Sequence, residues 1–291
     1  MSRRLTRAGD AVDGHHEPAR VALMRLAMAQ ISSGDDPSAN LHLVESAVAD
    51  AAGRGAELVV FPEATMCRFG VPLGPHAQPV DGPWASAVSD IARAAGVAVV
   101  VGMFTPADDG RVRNTVLVAG ADGKRSSYDK IHLYDAFGFA ESATVEAGTA
   151  PVVARIGDVA VGIATCYDIR FPSLFTTLAD AGAQLIVVPA SWGAGEGKVH
   201  QWQVLATARA LDATTYVAAV GQASPPDPEV AAAAAPTGVG HSQLTDPFGT
   251  VVAAYDGTPQ VGVHDIDLGT VRRAQETLAV LANQRDITPP I

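Results

Sequence analysis

Three side chains that lie far apart in the sequence could together hydrolyse an amide. Glu63 follows the apolar run VVFP, Lys130 follows the extended segment SSYD, and Cys166 follows the apolar run VAVGIAT. A thiol can attack an amide carbon when a carboxylate takes its proton and passes it to the leaving amine. An ammonium group can stabilise the oxyanion that forms, a contribution of roughly 3–4 kcal/mol per donor. The three residue types therefore supply a nucleophile, a general base and an oxyanion donor.

Each of these residues also has a structural interpretation when it is taken alone. A free cysteine is commonly a small buried hydrophobe, a lysine is usually solvated, and a glutamate after a strand can lie in a surface loop. We interpret Cys67, the second of the two cysteines, as buried and inert. The eight histidines are scattered, and the sequence contains no HExxH, GxSxG, GxGxxG or Walker motif. We therefore expect neither a metal nor a cofactor.

The elements that must position these side chains follow from periodicity. Short β-branched runs alternate with helical patterns, which is typical of an α/β protein with buried strands. Cys166 falls between a strand and a helix that opens with proline, a bend that should expose its side chain. Two segments echo each other, GAELVVFPEA at 55–64 and GAQLIVVPAS at 182–191, each with a buried strand stopped by proline. Strands are predicted at 26–31, 58–61, 97–102, 115–119, 126–128, 152–156, 159–165, 185–188, 216–220, 250–254 and 261–267, and helices at 37–53, 84–95, 172–181 and 200–212.

The domain organisation is simple in this interpretation. No linker separates the two halves, so we expect one domain over 24–286, preceded by a solvated tail at 1–23 and followed by a short tail at 287–291. The segment 223–236 (ASPPDPEVAAAAAP) is predicted to be a surface loop between two strands. Whether it closes over a site is left open.

Composition excludes several function classes. With 291 residues and 48% hydrophobic side chains, the chain can bury a sizeable core and is not disordered throughout. Its net charge of −11 repels nucleic acid and anionic membrane surfaces, and it has no apolar run long enough to span a bilayer. Two cysteines are too few for a disulfide framework, which favours a reducing cytoplasm. A small molecule is therefore the expected partner.

At the level of motifs, the sequence resembles the nitrilase superfamily, the carbon–nitrogen hydrolases. FPEA around Glu63, YDKIHLYDAFGF around Lys130 and GIATCYDIRFPSLF around Cys166 look like the three signature blocks of that family, in the same order. Downstream segments also match: PASW at 189–192, RALD at 209–212 and GHSQLTDPFG at 240–249. The resemblance implies a single-domain, four-layer α–β–β–α sandwich, commonly paired into homodimers or higher oligomers through helices.

The resemblance also assigns roles to residues of this sequence. It implies that Cys166 is the nucleophile, Glu63 the general base and Lys130 the oxyanion donor, together with the backbone N–H of Tyr167. Glu141 matches a second glutamate that orients the lysine and the amine in the pocket. These implied roles describe a cysteine amidase that works through a thioester.

Three further residues near the motifs have two interpretations each. Asp168 and Arg170 beside the nucleophile could contribute to the site, but Arg170 could equally pair with a carboxylate and hold the turn in place. Trp192, at the end of the PASW strand, could wall the pocket or belong to the core.

Departures from the family pattern bear on the substrate, since a buried polar contact can discriminate between substrates strongly. Ser173, Gln201, Ala213 and Gly221 stand where glutamate, histidine and two asparagines are common, and His200 precedes Gln201. The CYDIRFP block most resembles the omega-amidase and deaminated-glutathione amidase branch. An ω-amide of a dicarboxylate is therefore the expected substrate. A nitrilase or an N-carbamoyl hydrolase is the alternative, and a catalytically silent binding protein of the same fold is the alternative from another class.

Overall fold

We describe residues 23–285 from a computed structural model of the chain. The predicted tails lie outside these residues, except that Leu23, assigned to the N-terminal tail, is the first residue of a strand. In chain order the strands are β1 (Leu23–Gln30), β2 (Leu58–Val60), β3 (Ala98–Pro106), β4 (Val112–Ala119), β5 (Arg125–Asp129), β6 (Asp135–Ala136), β7 (Phe139–Ala140), β8 (Val145–Glu146), β9 (Val152–Ile156), β10 (Val159–Ile163), β11 (Leu185–Ala190), β12 (Tyr216–Gly221), β13 (Gln243–Thr245), β14 (Val251–Ala254) and β15 (Gln260–Asp267). The α-helices are α1 (Pro37–Gly53), α2 (Pro83–Ala95), α3 (Pro172–Asp180), α4 (Lys198–Ala213), α5 (Pro228–Ala231) and α6 (Leu268–Leu278), and short 3-10 helices span Gly74–His76, Glu141–Ala143, Cys166–Arg170 and Leu281–Asn283.

The larger strands form two mixed sheets. The first has the order β15-β1-β2-β3-β4-β5, with β8 beside β4, and the second has the order β14-β13-β12-β11-β10-β9. The middle strands of each sheet are parallel, β1 to β3 in the first and β10 to β12 in the second. Parallel strands end at the same edge of a sheet, so residues that follow them meet there. A small hairpin, β6 with β7, stands apart from both sheets.

Alternation along β1 shows how the layers stack. Met24, Leu26 and Met28 belong to the core cluster that also contains residues of the second sheet. Ala27 and Ala29 point to the opposite face and pack with α1 and α2. A strand with both faces buried reads as a continuous apolar run, as its sequence does.

The second sheet repeats this arrangement along β11. Leu185 and Val187 face the first sheet, whereas Ile186 and Val188 pack with Phe175 of α3 and with α4. Helices therefore cover the outer face of each sheet, and the sheets cover each other. This confirms the predicted four-layer α–β–β–α sandwich in one α/β domain.

Local signals account for the helix ends. The side chain of Asp36 accepts a hydrogen bond from the Ser38 N–H at 2.8 Å, which caps α1, and Pro37 occupies its first position. Helix α2 ends at Gly96, whose φ of 69° lies in the left-handed region that glycine adopts without cost. Within residues 23–285, no helix has both the length and the apolar character needed to span a membrane.

The prediction that a proline stops the strand at 185–188 is wrong. Strand β11 continues through Pro189 to Ala190 and stays paired with β12. Val187 directs its carbonyl towards the neighbouring β10, where it accepts from the Ala164 N–H at 3.1 Å. Pro189 lies two residues further on and faces the same side, but β10 has already ended at Ile163. The missing N–H of the proline therefore costs no ladder hydrogen bond.

The segment 223–236 departs in part from the predicted surface loop. It contains the short helix α5, and both of its ends are tied to the protein interior. Ala223 is fully buried, and its N–H donates to the Ile31 carbonyl at 2.7 Å. At the other end, the Pro236 carbonyl accepts a hydrogen bond of 2.6 Å from the Ser191 hydroxyl.

Candidate active site

The predicted site residues come together at one edge of the sandwich, just beyond the ends of four strands. Glu63 follows β2, Lys130 directly follows β5, Cys166 follows β10 and Ser191 directly follows β11. Each of these strands points towards the same edge, because the parallel strands share a direction and β5 returns to it after the antiparallel β4. Glu63, Lys130, Cys166 and Glu141 line a single narrow pocket between the two sheets.

Lys130 joins two carboxylates in the floor of this pocket. Its Nζ lies 2.8 Å from Oε1 of Glu63 and 2.9 Å from Oε2 of Glu141, and the three side chains are 2%, 1% and 3% exposed. Burial by itself lowers the pKa of Lys130, but the negative charges of Glu141 and Glu63 outweigh it and hold the pKa well above its ordinary value. The lysine is therefore a fixed ammonium group at neutral pH.

Glu63 is held from several directions. Its Oε1 accepts from Lys130 and, at 2.8 Å, from Nδ2 of Asn114, and its Oε2 accepts from the Ser191 N–H at 2.8 Å. The backbone of its loop lies directly on β3: a Cβ added to Gly102 would sit 2.8 Å from the Cα of Glu63 and 2.6 Å from the Ala64 nitrogen. Glycine at position 102 is therefore required for the loop to reach its place.

Cys166 opens the 3-10 helix Cys166–Arg170 in a left-handed conformation, with φ at 47°. A non-glycine residue in this region is strained by roughly 1–3 kcal/mol and tends to occur at functional sites. The prediction that the bend exposes the side chain is wrong, because Cys166 is only 6% exposed and its thiol faces the narrow pocket. Its Sγ lies 3.8 Å from the Ser191 carbonyl oxygen.

The thiol of Cys166 is protonated in the resting site. Burial raises its pKa well above the ordinary value, the charge of Glu63 raises it further, and the ammonium of Lys130 opposes both in part. A hydrogen bond between the thiol and Glu63 contributes in the same direction. Attack by this sulfur would therefore require a base at the moment of reaction, and Glu63 is the carboxylate in contact with it.

The backbone N–H of Tyr167 belongs to the first turn of the same 3-10 helix. N–H groups at this position of a helix have no partner within the helix and can bind an anion. The Tyr167 ring packs edge-on against Tyr134 at 5.2 Å and lines the pocket. The site therefore offers two kinds of donor, an ammonium and a backbone N–H.

Asp168 holds the turn in place and is not part of the pocket lining. Its fully buried carboxylate accepts from the Thr165 N–H at 2.8 Å, from the Tyr128 hydroxyl at 2.7 Å, and from the backbone N–H of His132 at 3.0 Å. The His132 Nδ1 lies 2.7 Å from the same carboxylate. Tyr128 and His132 flank Lys130, so Asp168 ties the turn of the cysteine to the segment of the lysine.

The interpretation of Arg170 as the partner of a carboxylate is wrong. Its guanidinium donates to Oε1 of Gln201 at 2.7 Å and stacks on the Trp192 ring at 5.2 Å, and it lines the pocket. Both interpretations of Trp192 hold, since the side chain walls the pocket on one side and contacts the core residue Trp202 at 5.1 Å on the other.

Most of the departures from the family pattern lie away from the pocket. Ser173, Ala213 and Gly221 do not line it, and Gln201 reaches it only through its hydrogen bond to Arg170. A Cβ at position 221 would sit 2.7 Å from the Gly240 carbonyl, so an asparagine would not fit there without a shift of the backbone. The expectation that all four positions bear on the substrate is therefore not supported by their placement.

Two polar residues at the site were not singled out from the sequence. Asn114 bridges Glu63 and Glu141, and its only signal is that it interrupts an otherwise apolar strand. Lys198, at the start of α4, lines the pocket with its Nζ 3.3 Å from the centre of the Phe137 ring. Burial, followed by the charge of Arg170, lowers the pKa of Lys198.

Two further expectations concern residues outside the reacting group. Cys67 is fully buried, as predicted, and burial raises its pKa to about 11. Among residues 23–285, no group of three or more histidine, cysteine, aspartate or glutamate side chains is placed to hold a metal ion.

Comparison with known proteins identifies the family. The family model described as "Carbon-nitrogen hydrolase" matches residues 25–276. The chain belongs to the carbon–nitrogen hydrolase family. It is thus a hydrolase acting on carbon–nitrogen bonds other than peptide bonds, and its resemblance to the nitrilase superfamily is confirmed.

Individual relatives refine this assignment. A Mycobacterium tuberculosis protein, Hydrolase Rv0480c, is 56% identical over 90% of this chain and 96% of its own length. Deaminated glutathione amidase of Escherichia coli O157:H7 is 32% identical over 87% and 94% of the two chains. Omega-amidase NIT2 of Xenopus tropicalis is 32% identical over 91% and 96%.

A solved structure shares the fold as well. The amidase of Nesterenkonia sp. AN1 superposes with a TM-score of 0.74 at 26% identity, covering 90% of this chain and 94% of its own. In that structure, the acetamide moiety of fluoroacetamide is covalently added at the active-site cysteine.

Proposed function

We propose that this protein hydrolyses a small linear amide that carries a carboxylate, giving a carboxylic acid and ammonia through a thioester on Cys166. The observation that carries the proposal is the contact of Lys130 with both Glu63 and Glu141 in the pocket that also holds the Cys166 thiol. The covalent adduct on the cysteine of the Nesterenkonia amidase supports a nucleophilic cysteine in this fold.

The first half of the proposed reaction forms the thioester. Glu63 takes the thiol proton as the sulfur of Cys166 attacks the amide carbon, and the carbonyl oxygen becomes an oxyanion held by Lys130 and the Tyr167 N–H. When this intermediate collapses, the carbon–nitrogen bond breaks and Glu63 returns the proton to the leaving nitrogen. Ammonia departs and the acyl group remains on sulfur. Glu141 keeps the Lys130 ammonium in place throughout.

The second half releases the acid. Glu63 removes a proton from a water molecule, and the resulting hydroxide attacks the thioester carbon. The same donors hold the second oxyanion. The carbon–sulfur bond then breaks, the thiol of Cys166 regains its proton, and the carboxylic acid leaves the pocket.

Two cations in the pocket favour a substrate with a carboxylate. Arg170 and Lys198 both line it, and within residues 23–285 neither has a carboxylate at salt-bridge distance. Stacking on aromatic rings holds both charges without neutralising them. An ω-amide of a dicarboxylate places its reacting amide at one end and a carboxylate at the other, which fits this arrangement. The names of two relatives, omega-amidase and deaminated glutathione amidase, point the same way.

A substrate panel tests the proposal. Purified protein is incubated with ω-amides of dicarboxylates, neutral amides of the same length, nitriles and N-carbamoyl amino acids, and ammonia release is measured. We expect fastest release from the carboxylate-bearing amides and none in the Cys166→Ala variant. Release only from nitriles, or only from N-carbamoyl compounds, would contradict the substrate assignment. Equal release from the Cys166→Ala variant would contradict the mechanism, and release from no compound would favour a binding protein.

We also propose that the protein is a homodimer joined through α4. Val204 and Leu211 are seven residues apart on this helix, and both are exposed. Leu211 lies beside the turn that carries the exposed Phe248, which extends the apolar surface. Light scattering should give twice the chain mass for the wild type and a smaller mass for Val204→Glu. A monomeric wild type would contradict the proposal.

A cytoplasmic location is the final part of the proposal. Cys67 and Cys166 are both free thiols, and the proposed reaction needs Cys166 reduced. Fractionation of the source cells with detection of the protein tests this, and recovery outside the cytoplasm would contradict it.

A further inference from the structure

Asn114 contacts each of the three residues that surround the pocket floor. It lies in β4 and is fully buried. Its Nδ2 donates to Oε1 of Glu63 at 2.8 Å and to Oε1 of Glu141 at 2.9 Å, and its backbone carbonyl accepts from the Lys130 N–H at 2.9 Å. Both side-chain N–H groups are thus spent on the two carboxylates that also bind the lysine ammonium.

The acceptor positions of Glu63 give this contact a role. A carboxylate offers about four lone-pair positions for hydrogen bonds. Asn114, Lys130 and the Ser191 N–H occupy three of them. The hydrogen bond to the Cys166 thiol takes the fourth. The general base is therefore oriented so that its free position faces the proton it must remove.

We infer that Asn114 is a positioning residue that keeps Glu63 ionised and aimed at Cys166, an inference that rests on the proposed role of Glu63 as general base. Two buried carboxylates share one ammonium here, and like charges at short range drive one carboxylate to hold a proton. Hydrogen bonds donated to the charged form oppose this. A protonated Glu63 could not accept the thiol proton, so loss of the amide donors disables the base at a pH where the wild type still works.

The residue type fits this role. An amide supplies two N–H donors without adding charge, whereas an aspartate of the same shape would bring a third carboxylate beside Glu63 and Glu141. A leucine of similar size would fill the space and donate nothing. The pair Asn114→Leu and Asn114→Asp therefore separates the loss of donors from the gain of a negative charge.

A matched control is available in Asn40, which is also fully buried. Its Nδ2 donates to the carbonyls of Gly34 and Met66, each at 3.0 Å, and it contacts no carboxylate. Asn40→Leu removes the same number of buried amide donors. It should lower the melting temperature without changing the pH dependence of the site.

Two readouts test the inference. The first is kcat and KM for the best amide as a function of pH. The second is the rate at which iodoacetamide alkylates Cys166, resolved by peptide mass spectrometry, which needs no knowledge of the substrate. For Asn114→Leu we expect kcat to fall about 100-fold or more, the contribution of a general base, with KM changed less than about threefold. The acid limb of both pH profiles should move up by about one pH unit, and further for Asn114→Asp.

Several results would overturn the inference. These are a folded Asn114→Leu variant whose acid limbs match the wild type, a kcat within threefold of wild type, or an equal shift in Asn40→Leu. If Asn114→Leu fails to fold, the Asn114→Asp profile decides in the same way. A wild type that releases no ammonia from any amide would contradict the proposed function alone, because the alkylation profile still tests Asn114.

Discussion

Replacing Lys130 by methionine removes the positive charge that contacts both Glu63 and Glu141 and leaves the length of the side chain nearly unchanged. The two carboxylates, 1% and 3% exposed, would remain buried with Asn114 as their shared donor. Removing one partner of a buried ion pair costs about 3–5 kcal/mol, because the remaining charge is uncompensated. At about 2–4 °C per kcal/mol for a chain of this size, the melting temperature should fall by about 6–20 °C.

The same substitution should reduce kcat by about 100- to 1000-fold, the loss seen when an oxyanion donor is removed. The effect on stability should persist from neutral to mildly alkaline pH. The folded-state pKa of Lys130 lies above its ordinary value of 10.5, so the stabilisation is fully present below that pH and is lost only as the pH rises through the folded-state pKa.

Urea denaturation and steady-state kinetics together test this prediction. In Lys130→Met/Glu141→Gln, one of the two uncompensated charges is gone, so at least about 2 kcal/mol should return while activity stays low. Lys124→Met is the control, because Lys124 is 88% exposed and pairs only at the surface with Asp122, a contact worth about 1 kcal/mol at most. A Lys130→Met variant within 1 kcal/mol of wild type, or no recovery in the double variant, would refute the reasoning.

Three further substitutions have expected outcomes. Asp168→Ala leaves buried donors of Tyr128 and Thr165 without an acceptor, at about 1–3 kcal/mol each, so urea denaturation should show a loss of at least about 3 kcal/mol; a loss below 1 kcal/mol would contradict the bridging role. Arg170→Met should raise KM about tenfold or more for a carboxylate-bearing amide and less than threefold for a neutral one, since a hydrogen bond to a charged group is lost; equal changes would count against a carboxylate subsite. Cys67→Ser should keep kcat within threefold of wild type, and native Cys67, with its pKa raised to about 11 by burial, should stay unlabelled by iodoacetamide at neutral pH; labelling as fast as Cys166 would show that it is reactive.

Much of the fold could be predicted from the sequence, because local signals specify it. The caps at Asp36 and Gly96 and the apolar runs of the buried strands each depend on a few neighbouring residues. The end of β11 was mispredicted because a proline is disruptive only where its N–H would have a partner. Whether the strand beside Pro189 continues is not encoded near that proline.

The site was predictable to the extent that its residues stand in motifs. Glu63, Lys130, Glu141 and Cys166 were identified, and the structure brings them into one pocket. The supporting contacts were not predictable, because they join distant parts of the chain: Asn114 reaches Glu63 across 51 positions. Local patterns do not record contacts of that separation.

Burial of the thiol was missed for a related reason. A bend between a strand and a helix exposes its side chain unless other segments cover it. Here Cys166 is covered by residues that follow several strands of both sheets, including Glu63 and Ser191. The consequence is chemical, because the covered thiol is protonated and depends on Glu63 for its reactivity.

The most direct test is to trap the acyl group itself. Wild-type protein is mixed with the best amide, quenched in acid within the first turnovers, digested and analysed by mass spectrometry. We expect the peptide that contains Cys166 to gain the mass of the substrate minus ammonia, and this gain to vanish after treatment with hydroxylamine. Turnover without such an adduct, an adduct on any other residue, or full activity in Cys166→Ala would contradict a thioester on this sulfur.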